Sequence, residues 1–336
     1  MQKARTGSKI RDRVFYTATA LCASSPILFL GVIAVIVVIE SMPSIRFMGV
    51  HYLTSTIWNM GNLYGAMQHQ HGVSAPAGAS YGGLTFIIGT VASSIIALLI
   101  GVPISIFTAL ILAYKVRGSV RGILSILVEL LAGIPSVIFG LWGIIVLAPW
   151  VRDGLAPILT RIGVVIPFLR GPIGTGEGLL TSGLVLAFMI VPIMTATIRD
   201  LLQQVPVLYR EGGIGLGMTS WEVVRLICLP YIKEGMIGAI ALGWGRAMGE
   251  TMAVLMVSGS AVNTLPQNLY SPISTMAAFI ADQLDSAFTD ASHMAIHALA
   301  ELALILMVIT LVTNVIARLL VSGGRNFGAR KVGVSR

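Results

Sequence analysis

The sequence predicts an all-α polytopic membrane protein with six transmembrane helices. Hydrophobic residues make up 56% of the 336-residue chain and charged residues only 11%, and the mean hydropathy is +0.89. Soluble domains contain about 25% charged residues, so this composition indicates an integral membrane protein. Six apolar runs are each long enough to cross about 30 Å of hydrocarbon at about 1.5 Å per residue.

The apolar runs divide the chain into spans and loops. The predicted spans are Phe15–Ile39, Leu84–Ala113, Ile123–Leu147, Leu179–Ile198, Met236–Val257 and Met294–Ala317. A basic segment precedes the first run, as in a signal peptide, but the run is too long and lacks a clear cleavage site, which favours an uncleaved first span. The predicted organisation is an N-terminal segment 1–14, a first helix 15–39, an outer loop 40–83, a core 84–318 and a tail 319–336.

Basic residues are distributed unequally between the two sets of loops. Seventeen of the 22 Lys and Arg residues lie in the N-terminal segment, the C-terminal segment 318–336 and the loops 114–121 and 199–234, whereas four lie in loops on the other face. Positive charge is enriched on the cytoplasmic side, so both termini and the loop 199–234 are predicted to be cytoplasmic. Orientation thus explains the net charge of +8, and no nucleic-acid partner is predicted.

The two long outer loops offer little chemistry. Loop 40–83 contains His69 and His71 in a Gln-His-Gln-His run. Two close histidines without a carboxylate or thiolate cluster make a poor metal site, so a solvated loop is favoured and metal binding is the alternative. Segment 149–178 is rich in Pro and Gly, and residues 158–169 are apolar enough to lie along the membrane interface. No metal ligand is assigned.

The third predicted span is interrupted by Pro135. Proline removes a helix hydrogen bond, and such breaks are tolerated where protein or a water-filled cavity satisfies the freed carbonyl. The span is therefore predicted to be interior. Ser136 is a candidate substrate-path residue, with helix packing as the alternative, and Glu129 near the cytoplasmic end is interpreted as structural.

A polar stretch separates the fourth and fifth spans. Residues 208–216 are predicted to form a short helix, with Gly217 at its left-handed C-terminal cap. Thr219 and Glu222 have the spacing of a capping box that opens a second short helix. Leu229-Pro230 is expected to end that helix. The product is a compact helix-turn-helix on one face of the membrane.

The fifth span combines small residues with two charges. Small residues recur every fourth position and permit close approach of another helix: Ala241, Gly245, Gly249 and Ala253. Arg246 and Glu250 lie beside them, and charges within a span normally face a bundle interior or a water pathway. Arginine offers a fork of donors suited to an oxyanion, which Glu250 would hold in place when no anion is present. An ion pair that only fixes helix packing is the alternative.

The sixth span begins with His293, His297 and Glu301 at four-residue spacing, which predicts one helix face. Hydrogen bonding near the outer end of the bundle is the favoured interpretation of these residues. A metal site or a proton relay is the alternative.

The polar stretch also carries a motif spread over residues 211–230: Glu211-Gly212-Gly213, Gly217 and Ile227-x-Leu229-Pro230. It resembles the Glu-Ala-Ala, x3, Gly, x9, Ile-x-Leu-Pro loop of bacterial ABC importer permeases. The resemblance implies a coupling helix that docks in a groove of a cytoplasmic ATPase. Both alanines of that motif are glycines here, and each Gly costs a helix about 0.5 to 1 kcal/mol relative to Ala.

Two further runs narrow the resemblance. Residues 133–140 are similar to the permease pair of the phosphate-specific (Pst) transport system, and residues 245–254 resemble its C-type subunit. This implies a type I importer (MetI-like) core in the bacterial inner membrane, with a peripheral first span. It also implies an A-type permease partner, two copies of a B-type ATPase that uses ATP and Mg, and an S-type phosphate-binding protein. No cofactor is assigned to this chain.

Other functions are weaker alternatives. The sequence has no Gly-x4-Gly-Lys-Ser/Thr loop, so ATP hydrolysis requires another chain, and no nucleophile–base constellation favours a membrane enzyme. A secondary transporter is an alternative from a third class, and a permease for sulfate, molybdate or phosphonate is the alternative within the ABC class. Cys22 and Cys228 have no plausible common location and are predicted to be structural rather than disulfide-bonded.

Overall fold

The computed structural model describes residues 2–116, 118–163 and 166–331. Parts of the predicted loop 114–121 and tail 319–336 therefore lie outside the described residues. The elements are α1 (Gln2–Met48), α2 (His51–Thr54), β1 (Asn62–Gln70), β2 (Val73–Ala77), α3 (Leu84–Leu110), α4 (Gly118–Ala132), α5 (Ser136–Trp142), α6 (Ala148–Trp150), α7 (Ala156–Ile162), α8 (Leu179–Gln203), α9 (Val207–Gly215), α10 (Ser220–Val223), α11 (Leu229–Met248), α12 (Met252–Val257), α13 (Met276–Ala287) and α14 (Met294–Lys331).

Among the described residues, six helical stretches are long and apolar enough to cross a membrane. They are Arg13–Met48, Leu84–Lys115, Ser136–Ile162, Leu179–Gln203, Ser220–Met248 and Met294–Leu319. The prediction of six spans is thus confirmed, and four of the six begin within two residues of the predicted start. The third and fifth spans differ, and both differences occur around proline.

The third span lies further along the chain than predicted. Helix α4 ends at Ala132, and Pro135 has an extended backbone (ψ 138°) immediately before α5. A continuous helix then runs from Ser136 to Ile162, so half of the segment predicted as the outer loop 149–178 is helical. The predicted span Ile123–Leu147 therefore joins two separate helices across a break.

Wide helical turns explain how the helices continue through three prolines, of which Pro230 was expected to end a helix. π-Helical turns occupy 143–147, 151–155 and 224–228, and each is followed two residues later by Pro149, Pro157 or Pro230. A proline ring clashes with the carbonyl four residues earlier in a regular helix, and a wider turn relieves that clash. Leu229-Pro230 thus does not end the second short helix, which continues as one helix, Ser220–Met248.

Helix α8 is the centre of the bundle. Most of its residues are buried, and it packs against α3 and α11. Glycines bring the backbones close: a Cβ on Gly101 would lie 3.0 Å from the Ile190 side chain, and one on Gly243 would lie 2.5 Å from Met194 Sδ. By contrast, residues 13–40 of α1 include no buried residue, and α1 meets the rest of the chain chiefly at α14.

Loop 40–83 is more ordered than predicted. Strands β1 and β2 form an antiparallel hairpin whose turn places His71 at φ 50° and Gly72 at φ 78°. At its base Trp58 makes edge-to-face contacts with Tyr81 and Phe279, with ring centroids 5.1 and 4.9 Å apart. The hairpin is the one described sheet in an otherwise helical fold. It was not predicted, although a two-residue turn ending in Gly is a common hairpin signal.

Candidate functional site

The loop between α8 and α11 is built around a glycine cap. Met218 N donates to the Gly213 carbonyl (3.1 Å) and Gly217 N to the Ile214 carbonyl (2.9 Å), which is the hydrogen-bond pattern of a Schellman motif. Gly217 has φ +82°, a conformation that residues with a Cβ rarely adopt. The predicted left-handed C-terminal cap of α9 is therefore confirmed at Gly217, directly after Leu216.

The second short helix opens with the predicted capping box. Thr219 N donates to Glu222 Oε2 (2.7 Å), and Glu222 N donates to Thr219 Oγ1 (3.3 Å). Each side chain thus satisfies an amide that the helix start leaves without a partner. The turn between α9 and α10 is consequently specified at both ends by local chemistry.

The two glycines of the motif have different environments. A Cβ on Gly213 would lie 2.7 Å from Ile227 Cδ1 and 3.1 Å from Val223 Cγ2, whereas a Cβ on Gly212 would meet nothing within 4 Å. Gly213 and Ile227 therefore form the contact that holds α9 against the helix 220–248. Leu229 and Pro230 lie at the start of α11, where the wide turn ends.

Helix α9 presents an unusually apolar outer face. Leu208, Ile214 and Leu216 are 76%, 59% and 81% exposed. Glu211, also exposed, makes no hydrogen bond or ion pair within the described part of the chain. Exposed apolar patches rimmed by polar groups mark interaction surfaces, so this face is suited to docking another protein.

A charge cluster that sequence reasoning only partly found ties α4 to α8. Arg199 Nη2 lies 3.0 Å from Glu129 Oε1 and 2.8 Å from Asp200 Oδ1, and the Arg199 side chain is only 9% exposed. This ion pair supports the structural interpretation of Glu129. Arg199 itself was counted only as a loop charge, because its burial depends on packing that spacing does not report.

Two of the spans adjoin a break in the helix. Helices α5 and α12 both begin after a break, at 133–135 and 249–251. A Cβ on Gly140 would lie 3.0 Å from Ala253 Cα, and one on Gly143 would lie 2.6 Å from Val257 Cγ1. The later residue of the first helix thus contacts the later residue of the second, so α5 and α12 run parallel. This register places Ser136, the first residue of α5, level with the break that contains Glu250.

Arg246 and Glu250 do not form the expected pair. Helix α11 ends at Met248, so the four-residue helical spacing between the two charges is lost at Gly249. Glu250 is half-buried and its Oε1 accepts a hydrogen bond from Ala253 N (3.4 Å) at the start of α12. Arg246 is exposed and has no ion-pair partner among the described side chains. The alternative of a packing ion pair between them is therefore not what the structure shows.

The predicted ribbon of small residues is also interrupted by this break. A Cβ on Gly245 would meet nothing within 4 Å, while Ala253 packs on Gly140 from the separate helix α12. The face of α11 around Gly245 and Arg246 is therefore open in this chain. A single continuous helix–helix seam along the fifth span was the wrong expectation.

The histidines of the sixth span belong to the contact between α1 and α14. His293 precedes α14 at φ 57° and is not on the predicted helix face. His297 Nδ1 lies 2.8 Å from the Glu40 carbonyl and 3.3 Å from Glu40 Oε2, and Ser44 Oγ donates to Glu301 Oε2 (2.5 Å). These groups therefore hydrogen-bond the first span to the sixth.

Six helices long and apolar enough to cross a membrane, together with a loop that exposes an apolar face, describe a membrane protein that can dock a partner on one side. Residues 101–325 match the family of binding-protein-dependent transport system inner membrane components, and the chain belongs to that family. It is accordingly a multi-pass protein of the inner membrane and a permease subunit of an ABC transporter rather than an enzyme.

Similar proteins show which group within this family the chain belongs to. The chain is 50% identical over 284 residues to the Mycobacterium tuberculosis phosphate transport system permease protein PstC 1, covering 84% of each chain. It is 36% identical over 314 residues to the Haemophilus influenzae phosphate transport system permease protein PstC, covering 93% of each. The chain therefore belongs to the PstC group of permeases.

Similar solved structures include two ABC transporters. A chain of the inward-facing MetNI methionine transporter is 15% identical with a TM-score of 0.47, and 70% of this chain covers 90% of it. A chain of a bacterial importer of the acidic polysaccharide alginate is 18% identical with a TM-score of 0.48, and 70% of this chain covers 78% of it.

Proposed function

We propose that this chain forms half of the translocation path of an ATP-driven importer of inorganic phosphate. The assignment of phosphate as the substrate rests on the 50% identity over 284 residues to a phosphate transport system permease. Its partners are a second, A-type permease, two copies of a B-type ATPase and an S-type phosphate-binding protein. ATP and Mg are used by the ATPase, and this chain needs no cofactor of its own.

The coupling role is assigned to the loop 199–234. The exposed apolar residues of α9 supply a docking face, and Glu211 supplies an exposed charge beside it. The Schellman turn at Gly217 and the contact of Gly213 with Ile227 fix this face relative to the helix 220–248. Since that helix continues without interruption to Met248, a displacement of α9 would be transmitted to the break at 249–251.

The substrate path is assigned to the neighbourhood of the two breaks. Arg246 offers an exposed guanidinium without a carboxylate partner in the described structure, next to the open face at Gly245. Ser136 lies at the N-terminus of a 27-residue helix, where backbone amides and the helix dipole favour an anion. Transporters use helix N-termini in this way to face the anionic groups of their substrates. Glu250 completes the set as a hydrogen-bond acceptor that orders the start of α12.

Orientation follows from the charge distribution. The coupling loop and both termini are placed in the cytoplasm, because that face carries seventeen of the 22 basic residues. The β1–β2 hairpin then lies on the outer side, where Tyr64 is 99% exposed.

The deciding experiment measures ATP hydrolysis and uptake by the reconstituted complex. Vesicles containing both permeases and the ATPase are given binding protein loaded with phosphate, and separately sulfate, molybdate and phosphonate. Stimulation of ATPase and uptake by phosphate alone is the expected result. Stimulation by another oxyanion in preference to phosphate would reassign the substrate, and uptake without ATP would reject the ABC mechanism.

A further inference from the structure

A cavity of about 540 Å³ lies beside the coupling loop, away from the proposed substrate path. One wall is the end of the second span, from Phe107 to Lys115, and the other is formed by α9, α10 and the turn at 224–228. Its volume falls in the range of small-molecule sites, about 300 to 1,000 Å³. Neither the coupling contact nor the substrate path accounts for it.

The cavity is amphipathic along the direction of the membrane normal. Phe107, Leu110 and Ile111 line its apolar half, and Lys115 and Arg210 line its basic half, which is called the mouth here. Phe107 and Lys115 are eight residues apart on a helix, a rise of about 12 Å. This distance separates a headgroup from the upper part of its acyl chains. Both flanking spans end here, so the mouth lies at the membrane surface.

The mouth is cationic and its geometry is fixed. The Arg210 guanidinium lies 4.3 Å from the centre of the Tyr114 ring, and the Tyr114 hydroxyl donates to the Leu202 carbonyl (3.0 Å). Lys115 is exposed and has no ion-pair partner among the described residues. The described cavity lining contains no carboxylate, and nearby Glu222 is engaged by Thr219.

The geometry points to a binding site for an anionic phospholipid. Lys115 and Arg210 donate to the headgroup phosphate, and an acyl chain lies along Phe107, Leu110 and Ile111. Trp221, 55% exposed at the rim, has the position of an interfacial anchor. Basic pockets between spans on the cytoplasmic side are suited to acidic headgroups. Free phosphate would not use the apolar half of the cavity, which is why a lipid is the occupant.

The site touches the coupling loop directly. Arg210 belongs to α9 and precedes Glu211 of the docking motif, while Lys115 belongs to the second span. A lipid phosphate held between them would tether α9 to the bundle by a contact outside the Gly213–Ile227 pair. The phospholipid would therefore contribute to the position of the docking face.

Lipid retention tests the proposal. The assembled complex is purified from vesicles of equimolar phosphatidylglycerol and phosphatidylcholine, and bound lipid is measured by native mass spectrometry. The parent should retain phosphatidylglycerol selectively. Lys115→Gln with Arg210→Gln should lower retention by roughly thirtyfold, given about 1 kcal/mol for each of the two basic residues near an acidic lipid. Arg225→Gln, which removes an exposed cation of the same loop outside the cavity, should retain it fully.

A second variant separates the acyl half from the headgroup half. Ile111→Trp fills the apolar part of the cavity but keeps both cations, and should also reduce retention. Equal retention of phosphatidylcholine, or an unchanged level in the double variant, would overturn the proposal. Displacement of the signal by inorganic phosphate would identify a free-anion site instead. Co-purification of the partner subunits shows that each variant is assembled.

Discussion

At the scale of single residues, Arg246 has the properties that a transported anion requires. Its guanidinium is permanently charged, it is exposed on an open face of α11, and the nearest acidic residue in sequence, Glu250, is turned toward α12. An unpaired cation within a span is costly, so its presence points to function. Glu250 in turn stabilises the start of a half-helix, a role that spacing on one continuous helix could not have indicated.

Removal of the Arg246 charge should strongly reduce transport without preventing assembly. Arg246→Ala should reduce phosphate uptake by roughly tenfold or more, because a hydrogen bond to a charged group contributes about 1.5 to 3 kcal/mol. Arg246→Lys should retain an intermediate rate, since it keeps the charge and loses the planar fork. Uptake and complex assembly are measured together.

The double variant Arg246→Ala with Glu250→Ala provides the control. Because no ion pair joins the two residues in the structure, loss of Glu250 should not restore uptake. Full uptake by the double variant would show that Arg246 is a structural residue and not part of the substrate path.

The Arg199 cluster makes a different residue-scale prediction. Glu129 is 56% exposed, so its ion pair is screened by solvent, whereas Arg199 is 9% exposed. Glu129→Gln should therefore change stability by less than about 1 kcal/mol. Arg199→Gln should lower the midpoint of thermal unfolding distinctly more, because it loses packing and leaves two carboxylates together. An equal effect of both changes in thermal melts of the purified complex would contradict this assignment.

At the scale of elements, glycine and proline decide how the spans are connected. Gly217 ends α9 because it can adopt φ +82°, and the effect was readable from sequence because a Gly cap is a local feature. Pro230 was expected to end a helix for an equally local reason. The wide turn at 224–228 removes the steric conflict between the proline ring and the preceding turn, so the helix continues through Pro230.

The same substitution at the two motif glycines, Gly212 and Gly213, should affect ATPase binding differently. Gly213→Val would drive a side chain into Ile227 and Val223 and separate α9 from the helix 220–248. Gly212→Val points into open space and should be tolerated, since valine is also the better helix former. Binding of the ATPase to the permease pair should be lost only in the Gly213 variant. Equal binding by both variants would show that this contact does not position the docking face.

The cap itself can be tested with a neighbouring glycine as control. Gly217→Val places a β-branched side chain at positive φ, a strain of at least about 1 to 2 kcal/mol. Gly215→Val lies on α9 with open space around it and at an ordinary helical φ. Both should insert normally, but only Gly217→Val should impair stimulation of the ATPase. If Gly217→Val hydrolyses ATP and transports like the parent, the turn is not a coupling element.

At the scale of the whole molecule, the bounds of a span were predictable where they depend only on the length of an apolar run. They were less predictable where they depend on packing. The first, second, fourth and sixth spans follow from uninterrupted hydropathy. The break at 249–251 was missed because Gly249 and Thr251 fit a helix pattern and only the packing of α12 on α5 separates them. The hairpin 62–77 was missed because its strands are largely exposed and carry weak alternation.

The orientation of the chain in the membrane can be tested by labelling cysteines, provided that the labelled thiols are exposed. Cys228 is buried and Cys22 lies on the first span, so neither native thiol is suitable and both are replaced by Ala. Single cysteines are then introduced at Tyr64 and Leu216, which are 99% and 81% exposed. An impermeant thiol reagent added to intact spheroplasts should label Tyr64→Cys and not Leu216→Cys. Leu216→Cys should react after permeabilisation in cells that lack the ATPase, which would otherwise cover it. Labelling of Leu216→Cys from outside would reverse the topology, and with it the side on which an ATPase meets α9.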